Sequence, residues 1–175
     1  MKKVYLAGPQ VFLPNAAEVF AQATDTCLEH DLVPLVPLNT AFTTPQEIFE
    51  FNKTLIRQAD YVLADVTPFR GSEPDSGTAW EIGFAHALGK SVFMYSLNAK
   101  WMRAKALEHF QLNPYDKRIY FPDGMCAETF GSPTNLMLSH SALFILGSFE
   151  QAVQEMTAHL KQQIELGKDK FALAT

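Results

Sequence analysis

Short apolar stretches alternate with helix-like segments along almost the whole sequence. Five of these stretches have the length and composition of buried strands: Lys3–Ala7, Leu32–Val36, Tyr61–Asp65, Ser91–Tyr95 and Ala142–Leu146. The segments between them carry apolar residues at helical spacing. Strands that alternate with helices form parallel sheets, because each connection must cross back over the sheet. The sequence therefore predicts an α/β fold with a five-stranded parallel sheet and helices on both faces.

The order of the strands follows from the handedness of their connections. Right-handed crossovers between five strands favour a doubly wound sheet with the order 2-1-3-4-5. Pro34 places the second strand at an edge, since proline cannot donate to a central ladder. In this order the connections change direction between strands one and three. The loops after those strands, Gly8–Pro14 and Val66–Gly77, should therefore face each other across one crevice.

The helix boundaries are marked by caps and breakers. Thr44-Pro45-Gln46-Glu47 combines a cap, a proline at the first position and a capping-box glutamate. We predict that this helix runs to about Ala59 and turns four apolar residues inward: Ile48, Phe49, Leu55 and Ile56. The other predicted helices are Ala16–Glu29, Thr78–Gly89, Asn98–His109, Thr134–His140 and Phe149–Leu166.

Composition narrows the functional class. The 175 residues suit a single domain over residues 1–175, and the net charge of −5 argues against a nucleic-acid binder. No apolar run approaches the ~20 residues that cross a membrane, and the apolar start is too short for a signal peptide. Cys27 and Cys126 have neither metal nor redox spacing, and the histidines show no zinc-site spacing. We therefore expect a cytoplasmic protein with reduced thiols and no bound metal.

The segment Asp65–Lys90 combines a buried strand, a polar loop and an apolar helix that carries Glu81. One interpretation of Glu81 is structural, because Thr78-Ala-Trp-Glu81 fits a capping box. The other is functional. Asp75 supplies a second acid nearby, and a carboxylate at the mouth of a buried helix is partly desolvated, as functional carboxylates often are.

The predicted crevice lacks the usual phosphate-binding motifs. Neither G-x-G-x-x-G nor a Walker A sequence follows the first strand, which ends in Tyr5-Leu6-Ala7-Gly8-Pro9. Its wall instead offers Tyr5, the apolar Phe12 and two acids, a set that suits a neutral, sugar-like or ring-bearing ligand. The alternative for Tyr5 is a core aromatic residue whose hydroxyl is satisfied internally.

Several motifs resemble the nucleoside 2-deoxyribosyltransferase family. They are YLAGP at the start, Asn52 and Asp60 spaced as N-x7-D, ADVTPFRGSEPDSGTAWEIGFAHALGK in the middle, and FGSPTNLML near the end. They occur in the family's order and cover nearly the whole chain. The resemblance implies a flavodoxin-like fold. It also implies transfer of 2-deoxyribose between nucleobases without a metal or an organic cofactor.

The same resemblance assigns roles to individual residues. Glu81 matches the nucleophile, and Tyr5 matches the tyrosine that holds this carboxylate in place. Asp75 matches the aspartate that binds the sugar hydroxyls. Asn135, in the NLM motif, matches an asparagine that reaches the site of a neighbouring subunit, which implies a homo-oligomer with shared sites.

One position departs from the family pattern. Several members carry an aspartate on the second helix that handles the leaving base, and Asn52 occupies the aligned position. An amide can hydrogen-bond to a base but cannot act as a general acid. The donor of a proton to the base is therefore left open.

Other residues of the crevice complete the predicted binding site. Phe12 should supply apolar surface for the base, and Gly8 and Gly77 lie at the ends of the facing loops. Trp80 is predicted to be a core residue rather than part of the site. Arg70 could contact substrate, although a structural salt bridge to Asp75 or Glu73 is the favoured interpretation.

The resemblance implies a transferase of nucleoside salvage that forms a covalent deoxyribosyl–Glu81 intermediate and retains the anomeric configuration. The nearest alternative is an N-glycosidase that hydrolyses deoxynucleoside 5′-monophosphates, with Ser76 and Thr78 near the phosphate. A second alternative is a non-catalytic nucleotide-binding module, because the fold alone does not determine function. The choice of base, the acceptance of ribose and the size of the oligomer stay open.

Overall fold

The computed structural model describes residues 1–39, 41–97, 104, 107–108, 110, 120–128 and 130–165. The strands are β1 (Lys2–Ala7), β2 (Leu32–Leu35), β3 (Tyr61–Asp65), β4 (Ser91–Ser96) and β5 (Leu143–Leu146). The helices are α1 (Ala16–Glu29), α2 (Pro45–Gln58), α3 (Ser76–Ala87), α4 (Leu136–Ser139) and α5 (Phe149–Glu165). A 3-10 turn, Pro9–Phe12, follows β1.

The five strands form one sheet in the order β2-β1-β3-β4-β5, and every neighbouring pair is parallel. This confirms the predicted flavodoxin-like α/β architecture and the edge position of the strand that contains Pro34. The carboxyl ends of β1 and β3 lie side by side, with Ala7 opposite Ala64. The loops after these two strands therefore leave the sheet together.

Alternate residues of β1 point to opposite faces of the sheet. Val4 and Leu6 pack on the face covered by α1 and α5, whereas Tyr5 and Ala7 belong to the cluster that includes Ile56 of α2 and residues of α3. Burial of each large apolar side chain contributes roughly 1.5–3 kcal/mol to folding. The second face is the one that positions the site, because Tyr5 points toward α3.

Local signals set most helix boundaries. The capping box at the start of α2 is present: Thr44 accepts from the Glu47 backbone, and the Glu47 side chain accepts from the Thr44 backbone. Helix α3 begins at Ser76, two residues before the predicted start, because Asp75 caps it. The predicted helix Asn98–His109 falls mainly on residues outside the described ranges.

Two predictions of buried residues are wrong. Ile48 and Phe49 were expected to face inward, but they are 45% and 42% exposed, and only Ile56 of α2 is fully buried. Trp80, expected in the core, is 44% exposed and stacks on Phe84 at 5.1 Å. Helix α3 is apolar on almost every side, so its periodicity could not identify the inward face.

The described residues contain neither a membrane-spanning helix nor a metal-binding group. No helix in these ranges is long and apolar enough to span a membrane. No group of three or more metal-ligating side chains is found in them either. Cys27 is buried, Cys126 is exposed, and neither forms a disulfide.

Candidate active site

Tyr5 and Glu81 are in direct contact, although they are 76 residues apart in the sequence. The Tyr5 hydroxyl donates a hydrogen bond of 2.5 Å to Glu81 Oε1. Tyr5 reaches this point because β1 directs it to the face covered by α3, and its side chain is fully buried. Tyr5 is thus a core residue, as the alternative interpretation holds, and its hydroxyl binds the Glu81 carboxylate. It does not itself line the pocket described below.

Glu81 is not a capping residue, so the capping-box interpretation is wrong. Helix α3 is capped by Asp75, whose Oδ2 accepts from the Thr78 backbone N–H at 2.9 Å and from Thr78 Oγ1 at 3.2 Å. Glu81 is the sixth residue of the helix, beyond the first turn. Its carboxyl is therefore held by tertiary contacts rather than by the helix terminus.

The environment of Glu81 raises its pKa to about 7, mainly because burial disfavours the charged form, with a further contribution from the nearby Asp75 carboxylate. Hydrogen bonds from Tyr5 and Asn52 oppose the shift. Burial, the charge of Glu81 and the hydrogen bond to it raise the pKa of Tyr5 far above its usual value. The phenol therefore keeps its proton and donates a hydrogen bond to the carboxylate.

Glu81 lies at the side of a pocket with a volume of about 400 Å³. Five other predicted site residues also line it: Gly8, Phe12, Asn52, Asp75 and Gly77. The remaining wall is mainly apolar: Val11, Pro37, Leu38, Phe42, Ile48 and Phe51, with Asn39 and Thr78. A volume of this size suits a small organic ligand, and the mixture of apolar walls with a few polar groups is typical of such sites.

The described residues that line this pocket include two acids, Asp75 and Glu81, and no lysine or arginine. The N-terminus of α3, which could otherwise attract an anion, is capped by the Asp75 carboxylate. The electrostatic character of the pocket is thus unfavourable for a phosphate group.

Gly77 allows Asp75 to approach the start of α3 closely. A Cβ atom at position 77 would lie 3.0 Å from Asp75 Oδ2, closer than ordinary packing permits. The glycine predicted to bind substrate therefore also has a structural role in placing an acid at the pocket wall.

Asn52 lies on α2 across from Glu81. Its Nδ2 is 3.5 Å from Glu81 Oε1, the oxygen that also accepts from Tyr5. Its Oδ1 is buried and has no hydrogen-bond partner among the described residues. An unpaired buried amide oxygen is costly, so an arriving donor group or a bound water would be favoured there.

Arg70 does not form the predicted salt bridge. Between described residues, no ion pair joins it to Asp75 or Glu73. Its guanidinium instead lies over the rings of Phe69 and Phe12, at 4.5 Å and 5.3 Å. Arg70 has a left-handed backbone (φ 53°), and it does not line the pocket. The salt-bridge prediction is therefore wrong, and Asp75 instead caps α3.

Asn135 lies outside this pocket. It borders a separate cavity with Ser72, Glu73 and Phe110. Its Nδ2 donates to Glu128 Oε1 at 2.6 Å, and its Oδ1 accepts from the Met137 backbone. Among the described residues, Asn135 thus has a capping role on α4 and no contact with Glu81.

Glu128 is a further residue of this region that was not predicted from the sequence. Besides binding Asn135, its Oε2 accepts from the Leu136 backbone N–H at 2.8 Å. Glu128 therefore fixes both the side chain and the backbone of the NLM segment. The only available signal was an acid in an otherwise uncharged stretch before a helix start.

The family model for nucleoside 2-deoxyribosyltransferase matches residues 4–137. A 2-desoxiribosyltransferase from Leishmania mexicana is 35% identical, with a TM-score of 0.76, and the match covers 91% of this chain and 99% of that one.

One more distant match is structural and agrees with the fold, and another is by sequence alone. A 2-deoxyribosyltransferase from Bacillus psychrosaccharolyticus has 18% identity and a TM-score of 0.54, over 85% of this chain and 88% of that one. An uncharacterised protein of Schizosaccharomyces pombe is 29% identical over an alignment of 107 residues, and the match covers 55% of this chain. This match spans about half (51%) of the length of that curated relative.

The match to the family model includes β1, with Tyr5, and α3, with Glu81. It also reaches the NLM segment near its far end. These segments carry Tyr5 and Glu81, which are in contact, and Asn135, which lies outside the pocket. The chain belongs to the nucleoside 2-deoxyribosyltransferase family.

Proposed function

We propose that this protein transfers 2-deoxyribose from one nucleobase to another, in nucleoside salvage, through a covalent bond to Glu81. The observation that carries the proposal is the contact between Tyr5 and Glu81 beside an apolar pocket. A structural carboxylate would be expected at a helix cap or in an ion pair. Glu81 is instead partly buried against a neutral phenol, with an adjoining space large enough for a ligand.

The proposed first step forms a bond between a Glu81 oxygen and C1′ while the bond from C1′ to the base nitrogen breaks. The base leaves with the electron pair, and the transition state has oxocarbenium character. Tyr5 and Asn52 both contact Oε1, so we assign the attack to Oε2. A nitrogen of a second base then bonds to C1′ from the face that the first base left, while the bond from C1′ to Glu81 Oε2 breaks and the carboxylate regains its electron pair. Two inversions give net retention.

Asp75 and Phe12 are proposed to hold the two parts of the substrate. Asp75 lines the same pocket as Glu81, which supports a role for it in binding the sugar hydroxyls. Phe12 offers a ring that is 56% exposed, which supports a stacking role toward the base. Asn52 would hydrogen-bond to the base, and its unpaired oxygen supports this assignment.

Substitution of Tyr5 by phenylalanine is expected to change the pH profile of kcat/KM. Glu81 must be ionised to attack, so the wild-type rate should rise with pH through about 7. The phenol hydrogen bond lowers the pKa of Glu81, and its removal should move this rise to higher pH. Initial rates of base exchange between pH 5 and 9 test this. An unchanged profile would contradict the proposed role of Tyr5.

The described lining of the pocket contains two acids and no lysine or arginine. We therefore expect a substrate with a free 5′-hydroxyl to be preferred over one with a 5′-phosphate. We expect deoxyinosine with adenine or cytosine to give the swapped nucleoside, and deoxyinosine 5′-monophosphate to react at least about tenfold more slowly. Chromatography of the products measures both reactions. Release of free sugar phosphate as the main product would instead indicate the N-glycosidase alternative.

The proposed oligomer is supported by exposed apolar side chains near Asn135. Met137 is 72% exposed, Phe130 71% and Met125 66%. Exposed apolar side chains that form a contiguous patch commonly mark protein–protein contacts, and these three lie close together in the sequence. We propose that this surface meets a second copy of the chain, which brings Asn135 to the neighbouring Glu81 pocket and shields the intermediate from water.

A further inference from the structure

Asp65 joins the two loops that border the pocket. It is the last residue of β3, and it is only 8% exposed. Its Oδ2 accepts from Gln10 Nε2 at 2.5 Å, and its Oδ1 accepts from the Thr67 backbone N–H at 2.8 Å. One buried carboxyl group thus binds the Pro9–Phe12 turn on one side and the loop after β3 on the other.

Gly8 makes this contact possible. A Cβ atom at position 8 would lie 2.2 Å from Gln10 Oε1 and 3.1 Å from Asp65 Cβ. The Gln10 side chain therefore passes directly over Gly8 to reach Asp65. Gly8 lines the pocket, whereas Gln10 and Asp65 do not.

The same turn and loop meet at a second point. Phe12 stacks on Phe69 with ring centroids 5.4 Å apart and an angle of 17° between the rings, and Arg70 lies over both. A half-exposed phenylalanine would otherwise sample several rotamers. Its orientation toward the pocket thus depends on how firmly the turn is held.

We propose that Gln10 and Asp65 form a latch that holds the Pro9–Phe12 turn and thereby positions Phe12 against the nucleobase. This rests on the proposed function, because it assigns Phe12 to the base. Gln10 and Asp65 are positioning residues, since they act through Phe12. Loss of the latch should weaken base binding, whereas the Tyr5–Glu81 pair lies elsewhere and should be little affected.

The test is a double-mutant cycle on steady-state base exchange. Gln10→Ala should raise KM for the acceptor base roughly tenfold, with kcat within about twofold of the wild-type value. In a Phe12→Leu background the same change should raise KM much less, because the residue through which the latch acts is already lost. A purely structural role for Gln10 would give the same effect in both backgrounds.

Two further variants control for folding and chemistry. Asp65→Asn should behave like wild type, because its amide can still accept from Thr67 and, after rotation of the Gln10 amide, donate to that residue. Gln22→Ala removes another glutamine beside the same small cavity as Gln10, and should leave KM unchanged. Thermal unfolding of every variant identifies any loss of fold.

The outcomes separate the two proposals. If the wild-type protein exchanges bases and Gln10→Ala leaves KM unchanged, or acts equally with and without Phe12, the latch is overturned and the proposed function stands. If the wild-type protein exchanges no bases, the proposed function is overturned, together with the role of the latch in base binding.

Discussion

Replacement of Glu81 by glutamine is expected to lower base exchange by on the order of 10⁴-fold or more, the scale on which loss of a nucleophile acts. Glutamine has the shape of glutamate and can still accept the Tyr5 hydrogen bond, but its neutral amide cannot form a glycosyl ester. The measurement is the initial rate of nucleoside formation from deoxyinosine and a second base. Glu150→Gln provides a matched control, because it makes the same chemical change on α5, away from the pocket.

The Glu81→Gln variant should remain folded and should be more stable than the wild-type protein at high pH. The pKa of Glu81 is about 7 in the folded protein, above its ordinary value of 4.5. The folded state therefore binds more protons than the unfolded state between these values, and stability falls as the pH rises through this window. Relative to wild type, Glu81→Gln should gain up to about 3 kcal/mol at pH 8 and little near pH 4. Urea unfolding at both pH values checks this; a fully active, folded variant would refute the nucleophile assignment.

Asn135→Ala is expected to abolish most activity in a way that mixing subunits can repair. If Asn135 serves a neighbouring pocket, a dimer of Asn135→Ala with Glu81→Gln contains one intact site and one site with both defects. Random reassociation of equal amounts should restore about a quarter of the wild-type activity, because half of the dimers are mixed and half of their sites are intact.

The control for this experiment is the double variant Glu81→Gln, Asn135→Ala. Mixed with either single variant, it cannot produce an intact site, so no activity should return. Failure of the two single variants to complement each other after verified subunit exchange would show that Asn135 does not act across an interface. It would leave Asn135 with the capping role seen on α4.

The fold could be predicted closely because its signals are local and repeated. The five strands and their order follow from alternation and handedness, and the capping box of α2 is encoded in four consecutive residues. The exposure of Trp80 could not be foreseen, because α3 carries apolar residues on almost every side. Phe49 of α2 is exposed as well, because its ring packs against that of Trp80 at the surface.

The site was only partly predictable, for a different reason. Tyr5, Asp75 and Glu81 stand in recognisable motifs, and the structure brings them together. Whether Glu81 caps α3 or lines the pocket depends on where the helix begins. Because α3 begins at Ser76, two residues before the predicted start, Asp75 is the cap and Glu81 lines the pocket. Gln10, Asp65 and Glu128 act through contacts between segments distant in sequence, and single-sequence patterns carry no signal for such contacts.

The most direct test of the proposed function is mass spectrometry of the protein quenched shortly after mixing with a deoxynucleoside in the absence of an acceptor base. The proposal predicts that the peptide containing Glu81 gains the mass of one deoxyribosyl group, that the gain disappears when an acceptor base is added, and that Glu81→Gln never acquires it. Base exchange at a normal rate with no such adduct, or with the adduct on another residue, would contradict a covalent role for Glu81.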